Sequence, residues 1–144
     1  MTRTAFRLMH GAALATIATG LVYGWMRYLC TPDDPYAVAN HPWQPHAQHL
    51  HVLFAPALAV MIGVFWVPHA LRYWRLRKRE GRRSGALAWW FALPMIFSGY
   101  LLQIVSHETL KLTMVWLHVA SGSLWAIAYL LHFLTHQFRT RAMR

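Results

Sequence analysis

Four long apolar runs constrain this chain more than any other feature. A helix needs about 20 residues to cross the hydrocarbon core of a bilayer, and runs of this length begin at Ala5, Leu50, Ala86 and Leu112. Composition agrees, because 57% of the 144 residues are apolar and only 12% are charged, which is not the balance of a soluble protein. We therefore predict a single all-α membrane domain over 1–144, with helices at about 5–29, 47–72, 86–105 and 109–136.

The basic residues predict how these helices are oriented. Twelve of the 14 Lys and Arg residues lie at one predicted membrane face: before the first helix, in "RYWRLRKREGRR" between the second and third, and after the fourth. Because such residues collect on the cytoplasmic side, we predict an up-down-up-down four-helix bundle in a bacterial inner membrane, with both termini cytoplasmic. The net charge of +10 is then explained by lipid headgroups, and we predict no nucleic-acid partner.

The N-terminal run and the single cysteine narrow the options further. The run has the basic-then-apolar form of a secretory signal, but it lacks a small-x-small cleavage site, so we expect it to remain a membrane helix. Cys30 is the only cysteine, which excludes an internal disulfide, a Cys-rich zinc site and the C-x-x-C-H attachment of haem. Any metal must therefore be held by histidine.

Ten histidines are present, and an ionisable residue at membrane depth is costly enough to indicate function. His118 and His132 are 14 residues apart, which places them within about 40° of one helix face and about 21 Å apart along the axis. Counting from the cytoplasmic arginines puts His51 level with His118 near the outer surface, and His10 level with His132 near the inner one. Two bis-histidine sites at two depths are what two b-type haems need.

Zinc is the competing metal. It usually takes three or four protein ligands, so two separated pairs suit it poorly. The outer segment "HPWQPHAQHLH" contains His41, His46, His49 and His51, and this cluster could bind zinc or copper as a peripheral site. A histidine-rich metal-binding membrane protein therefore remains an alternative from a different class.

The stretch "RLMHGAALATIATGLVYG" and the segment "HVASG" resemble the bacterial di-haem cytochrome b family. That family includes cytochrome b561, the gamma subunit of formate dehydrogenase and the cytochrome b of nickel-iron hydrogenases. The family motifs fall here on Arg7, His10, Thr19 and Gly20 of the first helix, and on His118, Gly122 and His132 of the fourth. The resemblance covers most of the chain. It implies that His10 and His132 bind the inner haem, while His118 and a histidine of the second helix bind the outer one.

The second helix departs from the family pattern. The family has His-x-x-x-Gly there, whereas this chain has His51 followed by Ala55, with His49 as a neighbour. We favour His51 over His49 because its depth matches that of His118.

His69 has three possible roles. It can bond to a haem propionate or a quinone, lie at headgroup level, or replace His10 as a ligand. In the family a quinone site, where present, lies near the inner haem. That implies as candidates His69, Arg72, Tyr73 and His136, whose alternative is an ordinary basic helix end.

The expected function is transmembrane electron transfer through two haems b, linking the quinone pool to a periplasmic redox subunit or cytochrome. The alternative within the same class is a free-standing quinone reductase of the cytochrome b561 type, similar to a superoxide oxidase. No Ser/His/Asp arrangement, paired catalytic carboxylates or glycine-rich phosphate loop is present. We therefore expect neither hydrolase nor nucleotide chemistry, and we predict no catalytic residues.

Overall fold

The regular structure is helical throughout the part of the chain that the computed structural model describes. That part comprises residues 2–32, 34, 36–76 and 82–142, with the side chains of all but 82, 83 and 136–142. The elements are α1 (Arg3–Tyr28), α2 (Gln44–Phe65), a π-helix (Trp66–Leu71), α3 (Arg72–Arg75), α4 (Arg82–Ile104) and α5 (Glu108–Ala142). The basic residues 77–79 of the predicted cytoplasmic loop and the side chain of His136 lie outside the described residues.

Four helices are long and apolar enough to cross a membrane. They are Arg3–Tyr28, Gln44–Arg75, Ser84–Ile104 and Glu108–Thr135, the second of which includes the π-helix and α3. Large apolar side chains such as Leu21, Val60 and Leu93 are exposed along these helices, as expected for side chains that face lipid rather than water. The predicted all-α class, with four helices long and apolar enough to span a membrane, is thus confirmed.

The helices begin earlier than the apolar pattern predicts, because polar and proline residues form their first turns. Thr2 is the N-cap of α1, and its hydroxyl accepts a hydrogen bond from the backbone N–H of Ala5 at 3.2 Å, which satisfies one of the free donors at a helix start. α2 begins at Gln44, followed by Pro45 in the first turn, where a missing N–H costs nothing. Apolarity marks where a helix is in lipid, whereas caps mark where it starts.

The chain divides into two units, residues 1–68 and 69–144. In the first unit α1 packs against α2, around the buried side chains of Ala13, Leu58, Ile62 and Phe65. Phe6 meets Phe65 with ring centroids 5.1 Å apart, while Thr19 lies against His51. Partners therefore fall along α2 as they rise along α1, the contact pattern of an antiparallel pair.

In the second unit α4 packs against α5. The buried side chains include Ala92, Met95 and Ser98 of α4 and Trp125, Ala128 and Tyr129 of α5. Ser84 pairs with His132 and Ser98 with His118, so these helices also pair in opposite directions. Each unit is thus a helical hairpin with its own core.

The π-helix contains Pro68. Proline has no N–H to donate to the residue four before it, and its ring clashes with that carbonyl; irregular turns of this kind often occur beside a proline in a helix. The next residue, His69, stands on this segment.

Leu58 is only 2% exposed on α2, whereas Leu53 on the same helix is 68% exposed. Helix association in lipid depends on van der Waals packing, so Leu58→Ala should lower the free energy of unfolding by about 2 kcal/mol, the lower end for a core leucine. Reversible unfolding in mixed detergent micelles measures this. Leu53→Ala is the matched control and should change little; equal effects would contradict the packing described here.

Candidate functional site: histidines cradled by the neighbouring helix

The imidazole of His51 on α2 is held by two oxygen atoms of α1. Its Nδ1 lies 3.0 Å from the carbonyl oxygen of Thr16 and 3.4 Å from Oγ1 of Thr19. The hydroxyl of Thr19 donates its own hydrogen to the carbonyl of Ala15 at 2.7 Å, so it presents a lone pair to the ring. Because a carbonyl oxygen only accepts, Nδ1 of His51 must carry a hydrogen, and in the neutral form of such a ring the lone pair is on Nε2.

His118 on α5 is held in the same way by α4. Its Nδ1 lies 2.9 Å from the carbonyl oxygen of Met95 and 3.4 Å from Oγ of Ser98. The hydroxyl of Ser98, which is fully buried, donates to the carbonyl of Pro94 at 2.6 Å. The two sites match atom for atom: a carbonyl, a hydroxyl three residues later, and that hydroxyl bonded to the carbonyl four residues before it.

A glycine follows the hydroxyl residue in both sites, and the ring lies directly against it. A Cβ at Gly20 would come within 2.8 Å of Cε1 of His51, and a Cβ at Gly99 within 2.9 Å of Cε1 of His118. Such distances are shorter than real Cβ atoms allow. We call this arrangement, a Ser or Thr followed by Gly against an imidazole of the neighbouring helix, a cradle.

A third cradle holds His132. Oγ of Ser84 lies 3.2 Å from Nδ1 of His132, and a Cβ at Gly85 would meet Cε1 of that ring at 3.4 Å. The 14 residues from His118 to His132 along α5 are matched by the 14 residues back from Ser98 to Ser84 along α4. One hairpin therefore carries two cradles about 21 Å apart along its axis.

The first hairpin lacks a cradle at the corresponding second position. Fourteen residues before Gly20 is Phe6, and fourteen after His51 is Phe65; these two rings meet edge to face, with their planes 80° apart. His10, the predicted ligand of this region, lies half-buried on α1, with its ring centroid 6.4 Å from that of Phe6.

The remaining predicted residues have different surroundings. His49 is exposed at the start of α2, whereas His51 is half-buried against α1. His69 is half-buried in the π-helix, with its ring centroid 6.1 Å from that of His132 and 5.0 Å from that of Tyr73. The structure thus brings His69, Tyr73 and His132 together.

The histidine-rich segment 41–51 does not assemble a multidentate metal site in the described residues. Nδ1 of His41 lies 3.1 Å from the backbone N–H of Trp43, and the ring of His46 packs against Trp43 at 5.6 Å. No group of three or more His, Cys, Asp or Glu that could hold a metal ion occurs in the part of the chain that the structure describes.

Sequence reasoning missed the cradles of α4. Because α4 contains no histidine, its sequence indicates only helix packing, yet both Ser84-Gly85 and Ser98-Gly99 lie on it. The signal was present in the spacing, because these two hydroxyl-glycine pairs are separated by the same 14 residues as His118 and His132.

Compared with known proteins, the chain matches no protein-family model, no curated protein and no solved structure.

The close contact of Gly20 with His51 predicts a sharp difference between two glycines of α1. Gly20→Ala must displace the ring and should cost about 1–3 kcal/mol of stability. Gly24, one turn further along, has nothing within 4 Å of an added Cβ, so Gly24→Ala should be neutral or slightly stabilising. Thermal unfolding compares the two variants, and the Nδ1–H resonance of ¹⁵N-labelled His51 should move only in the first. Equal behaviour would contradict the cradle.

Proposed function

We propose that this chain is a membrane electron-transfer protein that holds two b-type haems, each through two histidines. The observation that carries the proposal is the Nδ1 bonding of His51 and His118. A metal-binding histidine typically donates its other ring N–H to a carbonyl or carboxylate, which orients the ring and raises its basicity. Nδ1 of both imidazoles is bonded to a carbonyl in this way, and we propose that Nε2 of each ring is the donor to the metal.

The donor set fits haem better than zinc. Bis-histidine haem iron needs two axial imidazoles and exchanges single electrons between its ferric and ferrous states. Structural zinc needs four donors and catalytic zinc three, and the described residues contain no such group. Cradled single histidines with the spacing of His118 and His132 therefore suit two haems at two depths.

The proposed pairing joins His51 with His118 near the outer surface, and His10 with His132 near the inner one. This pairing rests on the depths counted from the sequence. The cradles at His51 and His118 support the first pair, and the exposure of His49 favours His51 over it. We propose the same up-down-up-down order and cytoplasmic termini that the basic residues indicate, in a bacterial inner membrane.

We further propose that the electrons pass between the quinone pool and a periplasmic redox partner, as the resemblance to di-haem cytochromes b implies. The cluster of His69, Tyr73 and His132 supports a quinone-binding role near the inner site, because it offers polar groups beside a proposed ligand. A free-standing quinone reductase of the cytochrome b561 type would use the same cluster. A periplasmic subunit that copurifies with the chain would favour the first of these.

Haem content tests the proposal directly. The purified protein should contain two haems b per chain by pyridine haemochrome assay, and His118→Ala should lose one of them while the other keeps its reduced-minus-oxidised spectrum. His107→Ala is the matched control, because His107 is exposed before α5, and it should retain both. A wild-type protein without haem would overturn the proposal.

A second experiment tests the orientation. In a Cys30→Ser background, Ala37→Cys should react with a membrane-impermeant maleimide added to spheroplasts, because residue 37 is exposed in the predicted outer loop. Leu76→Cys, which precedes the basic loop, should react only after the membrane is permeabilised. The reverse pattern would show that the positive-inside argument had been misapplied.

A further inference from the structure

In the part of the chain that the structure describes, α4, which contains no histidine, carries two of the three cradles. α4 contributes Ser84, Ser98 and the glycines that follow them, and α1 contributes Thr19 and Gly20. Resting on the proposed function, we infer that the hydroxyls of Thr19, Ser98 and Ser84 are positioning residues that orient the haem-ligating imidazoles and tune the potential of the iron they bind.

The simplest alternative is that these hydroxyls only form hydrogen bonds within their own helix. Ser and Thr in apolar helices commonly donate to the carbonyl four residues back, and Thr135 on α5 does so with Leu131 at 2.8 Å. Thr19 and Ser98 make this bond too. Their oxygen atoms in addition lie 3.4 Å from a histidine Nδ1 on another helix, in two places with the same local geometry.

The shared geometry has a chemical consequence. Nδ1–H of His118 is divided between the carbonyl of Met95 and the hydroxyl of Ser98, and each acceptor draws the proton away from the ring. More electron density then remains on Nε2, which stabilises ferric iron and strengthens the iron-ligand bond. Removing one acceptor should reverse both effects.

The chain itself supplies the conservative exchange. Thr19 and Ser98 occupy the same position relative to their carbonyl, glycine and histidine. One site has threonine and the other serine, so either residue type can supply the hydroxyl at this position. Ser98→Thr and Thr19→Ser should therefore keep the hydroxyl function, whereas alanine at either position removes it.

The control is another buried serine near the same histidine. Ser121 on α5 is buried, and its hydroxyl bonds to the carbonyls of Leu117 and His118 on its own helix. Ser121→Ala removes the same atoms as Ser98→Ala at a similar depth, but it leaves the Nδ1 partners of His118 in place.

The experiment is a potentiometric titration with low-temperature EPR of the two-haem protein. Ser98→Ala should make the midpoint potential of one haem more positive and change its g-values. It should also weaken retention of that haem about tenfold, the lower end of the effect of losing such a hydrogen-bond partner. Thr19→Ala should shift that same haem, since His51 and His118 are proposed to share it, whereas Ser84→Ala should shift the other one. Ser98→Thr and Ser121→Ala should both keep the wild-type potentials and g-values.

Two outcomes would overturn the inference while leaving the function in place. The first is a two-haem protein in which Ser98→Ala lowers thermal stability but moves neither the potential nor the g-values. The second is an equal shift from Ser121→Ala. A wild-type chain without haem would overturn the proposed function itself, so the two failures are distinguishable.

Discussion

The hydrogen bond from a histidine Nδ1 to a carbonyl of the neighbouring helix is the interaction on which the rest of this structure depends. A helix carbonyl normally accepts from an N–H of its own helix, and the carbonyls of Thr16 and Met95 accept an imidazole in addition. In lipid no water would replace that bond, so the ring is held firmly. The bond also selects the tautomer, because it leaves the lone pair on Nε2.

Close approach of two helices makes this bond possible, and glycine permits the approach. The rings of His51 and His118 fill the space that a side chain at Gly20 or Gly99 would occupy. Small residues commonly allow close contact between membrane helices, but here the contacting partner is an imidazole and not a backbone. The same few atoms thus pack each hairpin and orient its polar group.

The two hairpins use this device unequally. The second hairpin carries cradles for both His118 and His132, whereas in the first hairpin the Phe6 and Phe65 rings occupy the position 14 residues along each helix from the His51 cradle. A histidine in place of Phe65 would require a small residue in place of Phe6. His10, the second histidine of the first hairpin that was predicted as a ligand, therefore has no cradle of this kind. The π-helix Trp66–Leu71 is a second local irregularity, and His69 within it lies beside His132 and Tyr73.

The sequence by itself determined the four helices that are long and apolar enough to span a membrane. Bilayer thickness sets how long an apolar run must be, and a run of that length can be recognised in the sequence without any tertiary contact. It also determined the 14-residue spacing of His118 and His132, since this depends on one helix only. The tertiary structure decided what surrounds each ring. The rotation and register of two packed helices decide which residues of α4 face His118. They also decide that α1 packs against His51 while His49 stays exposed. Those are set by many weak contacts made at once, and no single stretch of sequence contains them.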